Sequence, residues 1–278
     1  MITDWTAAYS NAPHIPDAAG YPDRWAAAAQ AFRDRMAGRA ELDIPYGDAP
    51  RLRADLFLPE GAPHGLAVLV HGGYWMSFDK DRWSHLAAGP LAHGWAVAVP
   101  QYQLAPEARI AQITRQVARA ITVLAGRIPG PIRLAGHSAG GHLVSRMACL
   151  DAPLPPEVQG RIAHVLSISG LHDLRPLMKT ELNKTLHLGE DEAAAESPAL
   201  LEPVAGTSLT AWVGAAERPE FLRQNDLLAN IWTGLGATTR AVHDTERHHF
   251  DVIAGLADPD SPICRDWCQG GGTSSLTR

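Results

Sequence analysis

The chain alternates short, wholly apolar segments with amphipathic ones, and this alternation leaves few folds open to it. Leu66–Val70 contains no polar residue, which is typical of a strand buried on both faces of a sheet. Glu107–Arg127 has apolar residues at spacings of three and four, which is typical of a helix packed on such a sheet. Further strands are predicted at Trp95–Val99, Ile132–Ala135, Ile162–Ile168, Leu209–Val213 and Thr238–Val242. The order of elements predicts an α/β fold, a mostly parallel sheet with helices on both faces.

The regions outside this alternation suggest how the domain is organised. Glu41–Tyr46 and Leu52–Leu58 are predicted as two strands joined by a turn, which gives the sheet an antiparallel N-terminal edge. A helix is predicted over Asp81–His93, since Gly94 follows as a stop signal. We expect an N-terminal arm and helix packed on the core, a main domain, a lid-like insertion within it and a flexible tail, at residues 1–40, 41–262, 173–201 and 263–278.

Composition excludes several classes of protein. The 278 residues include 24 basic and 30 acidic ones, so the net charge is −6. The sequence has no stripe of basic residues, so we expect no nucleic-acid partner. Neither a signal peptide nor an apolar run long enough for a membrane span is present, so we expect a cytoplasmic protein without a membrane partner. The composition leaves open whether the protein forms a homodimer.

Cysteine usage argues against both a disulfide framework and a metal site. The sequence has three cysteines, Cys149, Cys264 and Cys268, which we expect to be free thiols. No other cysteine or histidine lies near the last two in the sequence, so we predict no zinc site and no metal or organic cofactor.

The strongest chemical motif is Gly136-His137-Ser138-Ala139-Gly140, a G-x-S-x-G pattern between a predicted strand and a predicted helix. Small neighbours allow a tight strand-to-helix turn that projects the serine Oγ above the sheet edge. A glycine-rich turn with an ordinary surface serine is the plainer interpretation, but the strand–turn–helix setting favours a nucleophile.

His71-Gly72-Gly73-Tyr74-Trp75 follows the buried strand Leu66–Val70. In a G-x-S-x-G enzyme the loop after the third strand supplies one oxyanion donor, and the residue after the nucleophile supplies the other. We therefore predict an oxyanion hole from Gly73, Tyr74 and Ala139, with Gly72 less firmly placed. His71 is interpreted as a brace for the loop. Tyr74 and Trp75 are predicted either to pack in the core or to form walls for an aromatic substrate.

A base and an orienting acid should follow the nucleophile along the chain. Glu217 comes directly after the predicted strand Leu209–Val213, which favours it as the acid over Asp226 and Asp244. Three histidines, His243, His248 and His249, compete for the role of base. We predict His249, because it precedes the final helix in a loop that can reach the nucleophile.

At these motifs the chain resembles a known family. His71–Trp75, Gly136–Leu143, Val213–Phe221 and His249–Asp251 are similar to segments of the α/β-hydrolase-type arylformamidases, or kynurenine formamidases, which lie near the hormone-sensitive-lipase-like esterases. The resemblance extends from residue 5 to residue 257 and implies the α/β-hydrolase fold. It also implies Ser138 as nucleophile, His249 as base and Glu217 at the acid position, where the family usually has aspartate.

The implied activity is hydrolysis of N-formyl-L-kynurenine to L-kynurenine and formate, a step of tryptophan catabolism that needs no cofactor. Two other hypotheses stay open. One is a general carboxylesterase or carbamate hydrolase for small acyl groups, because a fold does not fix a substrate. The other is a non-catalytic α/β-hydrolase that binds a small ligand, although the complete set of serine, acid and histidine argues against it.

Overall fold

The computed structural model describes residues 2–270 and contains one sheet of eight strands in the order β1-β2-β4-β3-β5-β6-β7-β8. The strands β1 to β8 span Ala40–Pro45, Arg53–Phe57, Leu66–Val70, Ala96–Pro100, Ile132–His137, Ile162–Ile168, Ser208–Gly214 and Thr238–Asp244. Strand β2 runs antiparallel to both β1 and β4, and the pairs from β4 through β8 are parallel. The predicted fold class, including the antiparallel N-terminal edge, is therefore confirmed.

Ten α-helices connect these strands within residues 2–270. The helices α1 to α10 span Trp5–Tyr9, Tyr21–Arg35, Ala88–Ala92, Ile110–Ala125, Ala139–Met147, Pro156–Gln159, Asn183–Leu186, Glu190–Ala195, Pro219–Gly234 and Pro262–Gln269. None of these helices is long and apolar enough to cross a membrane.

The predicted helix Asp81–His93 is wrong as a single element. The structure has two 3₁₀ turns, Lys80–Arg82 and Ser84–Ala87, followed by the short α3. Pro90 lacks an N–H, and its ring would clash with the carbonyl of Leu86 in a continuous α-helix. The segment therefore tightens before the proline instead of forming one long helix.

The sheet separates two apolar layers. On one face the core includes Val68, Ile113 and Leu143, which brings α4 and α5 against the central strands. On the other face the core includes Leu69, Phe32 and Trp267, which brings α2 and α10 against the sheet. The central strands β3 and β4 are buried along their whole length, as their unbroken apolar sequences predict.

Helix α10 corrects the predicted flexible tail. Ile263, Cys264, Trp267 and Cys268 are buried on one face of this helix. Ser261 caps its first turn by accepting a hydrogen bond from the Cys264 amide. A tail therefore does not begin at residue 263, because the apolar residues there are needed to cover the sheet. Residues 271–278 of the predicted tail lie outside the described residues.

The two edges of the sheet differ in regularity. Strand β1 has a register shift between Glu41 and Ile44, and Asp43 there has a φ of 56°. The Asp43 amide is turned towards the Asp55 carboxylate, at 2.9 Å from Oδ1. Strand β8 pairs with β7 over seven residues without a shift. The N-terminal edge is thus interrupted, whereas the C-terminal edge is regular.

Candidate active site

Ser138 lies in the turn between β5 and α5, beyond the carboxyl end of a central strand. Its φ of 57° and ψ of −116° are unusual for a residue with a side chain. The Ser138 amide donates to the Ile168 carbonyl at 2.8 Å, which ties the turn to the neighbouring strand β6. The strand–turn–helix geometry that the G-x-S-x-G pattern predicts is present.

Glycine is required on both sides of this turn. A Cβ on Gly136 would lie 2.1 Å from the Gly140 carbonyl oxygen, and a Cβ on Gly140 would lie 2.0 Å from the Val70 carbonyl oxygen. Both distances are far below van der Waals contact, so any larger side chain would force the backbone apart. The motif therefore reflects close approach of three backbone segments as well as chemistry.

The loop after β3 approaches the same turn. A Cβ on Gly72 would lie 2.7 Å from the His137 carbonyl oxygen, and Gly73 has a φ of 103°. The backbone N–H groups of Gly73, Tyr74 and Ala139 donate to no acceptor within residues 2–270. Ala139 is also the first residue of α5, where the helix dipole favours negative charge. The predicted oxyanion donors are therefore brought to one place and left free.

His71 holds this loop from inside the protein. Its ring stacks on Tyr102 with centroids 4.3 Å apart, and its Nδ1 lies 2.8 Å from the Gly72 carbonyl oxygen. Burial lowers the pKa of His71 to about 4, so the ring is neutral at pH 7 and Nδ1–H can donate to that carbonyl. This arrangement agrees with a bracing role for His71.

Glu217 and His249 form a buried pair, and His249 lines the same cavity as Ser138. The His249 Nδ1 lies 2.6 Å from the Glu217 Oε2. The other carboxylate oxygen accepts hydrogen bonds from the Ser169 hydroxyl at 2.5 Å and from the Gly214 amide at 2.9 Å. Both oxygens of the glutamate are therefore oriented, and the Nε2 of His249 stays available to act on another group.

The competing residues have other partners. His243 lies in β8, and its Nε2 is 2.7 Å from the Asp226 Oδ1 on α9. His248 contacts the Tyr21 hydroxyl at 3.2 Å. Asp244 accepts a hydrogen bond from the Trp212 indole at 3.1 Å. Each has a surface or packing role away from the pair that Glu217 and His249 form.

His137 and Ser169 were not predicted as site residues. The His137 Nε2 lies 2.8 Å from the His249 carbonyl oxygen, and the two rings have centroids 4.7 Å apart. Burial and the neighbouring His249 lower the pKa of His137 well below its ordinary value, so it is a neutral donor. The sequence signal for His137 was its place inside the serine motif. Ser169 follows strand β6 with no motif around it.

Ser138 and His249 line one cavity of about 320 Å³. Its walls include several aromatic side chains, namely Trp25, Tyr74, Phe78, Trp83 and Phe250. Thr6, Tyr9, Asn11, Glu181 and Leu182 add an edge from the N-terminal arm and the 173–201 insertion. The size and apolar lining suit a small molecule with an aromatic ring.

Trp75 does not belong to this cavity, which corrects its prediction as a substrate wall. Its side chain is fully buried and packs edge-on against His142, with ring centroids 5.2 Å apart. Tyr74 and Trp75 both have a positive φ, and their rings meet edge-on with centroids 6.5 Å apart. Tyr74 remains at the cavity, and its hydroxyl donates to the Tyr9 carbonyl.

Cys264 and Cys268 have no histidine near them in the sequence, but the fold brings one close in space. One nitrogen of His93 and the two sulfur atoms all lie within 4.8 Å of one another. His93 is distant in sequence and approaches only because α3 packs on α10.

Comparisons with known proteins identify the family to which this fold belongs. A family model described as an α/β-hydrolase fold matches residues 67–246. The kynurenine formamidase of Danio rerio is 28% identical over 81% of this chain and 80% of its own. That of Salmo salar is 30% identical over 82% of this chain and 81% of its own.

A crystal structure from Silicibacter sp. TM1040, provisionally assigned as a thioesterase, has a TM-score of 0.90 and 50% identity. It covers 95% of this chain and 97% of that one. The predicted resemblance is confirmed, and the chain belongs to the α/β-hydrolase family as a relative of the kynurenine formamidases.

Proposed function

We propose that this hydrolase is a serine enzyme that cleaves an aryl formamide, with N-formyl-L-kynurenine as its substrate. The observation that carries the proposal is the 2.6 Å contact between Glu217 and His249 beside a cavity that Ser138 also lines. A buried carboxylate on one imidazole nitrogen leaves the other nitrogen to take a proton from a serine hydroxyl.

The reaction proceeds by acyl transfer. The Ser138 Oγ attacks the formyl carbon while the His249 Nε2 accepts the hydroxyl proton. The tetrahedral intermediate then collapses, the C–N bond breaks, and His249 gives its proton to the leaving aromatic amine. Water, deprotonated by His249, then attacks the formyl ester on Ser138. The bond between the formyl carbon and the Ser138 Oγ breaks, His249 returns the proton to that oxygen, and formate leaves. Glu217 orients the imidazole and stabilises the imidazolium that forms twice in each cycle.

The oxyanion of each tetrahedral intermediate is stabilised by the N–H groups of Gly73, Tyr74 and Ala139. These donors have no other acceptor within residues 2–270, so they need not break a bond to bind the oxyanion. Because they are held by the backbone in a buried setting, the protein does not reorganise as charge develops. One such donor is typically worth about 10²–10³ in kcat.

Two features support an aromatic formamide over other acyl compounds. The curated relatives from fish are kynurenine formamidases. The cavity has an aromatic wall set that includes Trp25, Phe78 and Phe250, against which a flat ring can pack. Asn11 and Glu181 line the same cavity and offer polar partners to the amino-acid end of the substrate.

The proposal is tested by measuring formate release from N-formyl-L-kynurenine with purified protein. We expect release by the wild type and only background release by Ser138→Ala. Ser145→Ala is the matched control, because Ser145 is buried in α5, the helix that follows Ser138, and donates to the Gly141 carbonyl. Release that persists in Ser138→Ala would refute the nucleophile. Absence of release by an intact wild type would refute the substrate.

An ester or thioester hydrolase is the second candidate. It is favoured by the Silicibacter structure, which is half identical in sequence and carries the thioesterase assignment. The same serine mechanism applies, with an alcohol or a thiol as the leaving group. Clear Ser138-dependent cleavage of p-nitrophenyl acetate or a short acyl thioester, without formate release from the formamide, would favour this candidate.

A further inference from the structure

A cluster of His93, Cys264 and Cys268 lies at the end of the sheet opposite to Ser138. His93 follows α3 and precedes β4, so it lies at the amino end of the parallel strands. Ser138 follows β5 and lies at their carboxyl end. Parallel strands of five to six residues separate the two ends by about 15–20 Å. The cluster is therefore separate from the proposed active site.

The two cysteines are arranged as ligands by the helix that carries them. Residues four apart share one face of α10, and their sulfur atoms lie 4.0 Å apart. Two thiolates bound tetrahedrally to zinc at about 2.3 Å are separated by about 3.8 Å. Both side chains are buried, with Cys264 wholly inaccessible. The sulfur atoms thus need little movement to hold one ion.

His93 supplies a third ligand of a suitable kind. Its Nε2 lies 2.9 Å from the Pro259 carbonyl oxygen, so an Nε2–H can donate there and leave Nδ1 with its lone pair. Histidines bound to metals usually donate their second nitrogen to a carbonyl or carboxylate in this way. Within residues 2–270 no group donates to the His93 Nδ1, and His93 is only half buried, which leaves access for an ion.

We propose that His93, Cys264 and Cys268 bind a thiophilic divalent cation, with Zn²⁺ as the ion that suits their chemistry. Two thiolates and one imidazole match the preference of zinc, and a water molecule completes the tetrahedron. On binding, two metal–sulfur bonds replace two S–H bonds, and the two protons pass to solvent. The ion links α10 to the end of α3 and so fastens the C-terminal helix to the sheet.

The test uses the full chain, reduced and freed of metal with a chelator, and titrated with CoCl₂ alone. We expect one Co²⁺ per chain and a thiolate-to-cobalt charge-transfer band in the near ultraviolet, which ZnCl₂ then abolishes. Zinc should also raise the Tm of the wild type. Hydrolase activity should stay unchanged, because the cluster is distant from Ser138.

Three variants separate this site from adventitious binding. Cys268→Ser and His93→Gln should each weaken cobalt binding at least tenfold, whereas Cys149→Ala should bind as the wild type does. Cys149 is buried elsewhere, near the Ser145 carbonyl, so it controls for loss of a thiol. Because His93 is only half buried, we expect His93→Gln to keep the fold intact.

Two results would overturn the proposal. One is the absence of the charge-transfer band in folded, reduced protein. The other is unchanged affinity in His93→Gln, which would reduce the cluster to a pair of thiols. A third measurement is the number of free thiols in Cys149→Ala after exposure to air. If two thiols are lost by oxidation and the reduced protein binds no cobalt, Cys264 and Cys268 form a disulfide couple and not a metal site.

Discussion

Glu217 occupies the position at which the resemblance to the arylformamidases implies an aspartate. The extra methylene is accommodated because the carboxylate is held from three sides, by His249, the Ser169 hydroxyl and the Gly214 amide. Fixing a glutamate side chain costs more rotamer entropy than fixing an aspartate, and these three contacts offset that cost. The Ser169 hydroxyl therefore stabilises the glutamate in the orientation that the imidazole needs.

Replacing Glu217 by glutamine tests this arrangement. The amide keeps the size of the side chain but cannot stabilise an imidazolium, so we expect kcat to fall by about 10³–10⁴ while the Tm changes little. Glu217→Asp keeps the charge but has a shorter side chain, so its kcat should fall less than that of Glu217→Gln. Steady-state kinetics on the formamide and on p-nitrophenyl acetate measure both. A loss below tenfold in Glu217→Gln would show that His249 acts without the carboxylate.

Helix α1 is the element that ties the N-terminal arm to the cavity. The Tyr9 hydroxyl donates to the Glu220 carboxylate at 3.0 Å and accepts from the Gln224 amide at 2.9 Å, both on α9. The Tyr9 carbonyl accepts from the Tyr74 hydroxyl in the loop after β3. One residue of α1 thus joins a helix and the predicted oxyanion loop across the mouth of the cavity.

Tyr9→Phe should loosen this connection while keeping the ring. Loss of the hydroxyl leaves a buried carboxylate and a buried amide each short of one partner, which costs about 1–3 kcal/mol. We expect a lower Tm and a rise in KM that exceeds the fall in kcat, because the arm lines the cavity. Tyr21→Phe on α2 is the matched control, since the Tyr21 hydroxyl contacts His248 at 3.2 Å and not helix α9. Equal effects in both variants would contradict a role for the arm in binding.

For the whole molecule, the sheet could be predicted from the sequence because its central strands are buried on both faces and therefore apolar throughout. Glu217 was predicted from its place after a strand, and Ser138 from the small residues that its turn requires. The approach of His93 to the cysteines, the burial of Trp75 and the support from Ser169 could not be predicted. Each depends on how distant segments pack, which leaves no local pattern in the sequence.

Buried histidines make the fold sensitive to acid. Burial lowers the pKa of His71 to about 4 and that of His142 and His172 to about 3, against an ordinary value of 6.5. Below pH 6.5 the unfolded chain therefore binds protons that the folded chain does not, so stability falls as the pH drops from 6.5 towards 4. Each such histidine contributes up to about 1.4 kcal/mol per pH unit in this window.

Urea unfolding at several pH values between about 7.5 and 5 measures this dependence. We expect the free energy of unfolding to be flat above the ordinary histidine pKa and to decline steeply below it. His172→Asn should make the decline shallower by one proton, whatever its effect on stability at neutral pH. A flat profile down to about pH 5 would mean that these rings are protonated in the folded protein.

The interrupted strand β1 has a consequence for how the protein behaves in concentrated solution. An exposed strand with a continuous row of free N–H and C=O groups can recruit a strand from another molecule. The shift between Glu41 and Ile44, with the Asp43 amide already engaged by Asp55, breaks that row. We therefore expect the register shift to hinder a neighbouring copy from extending the sheet at its N-terminal edge.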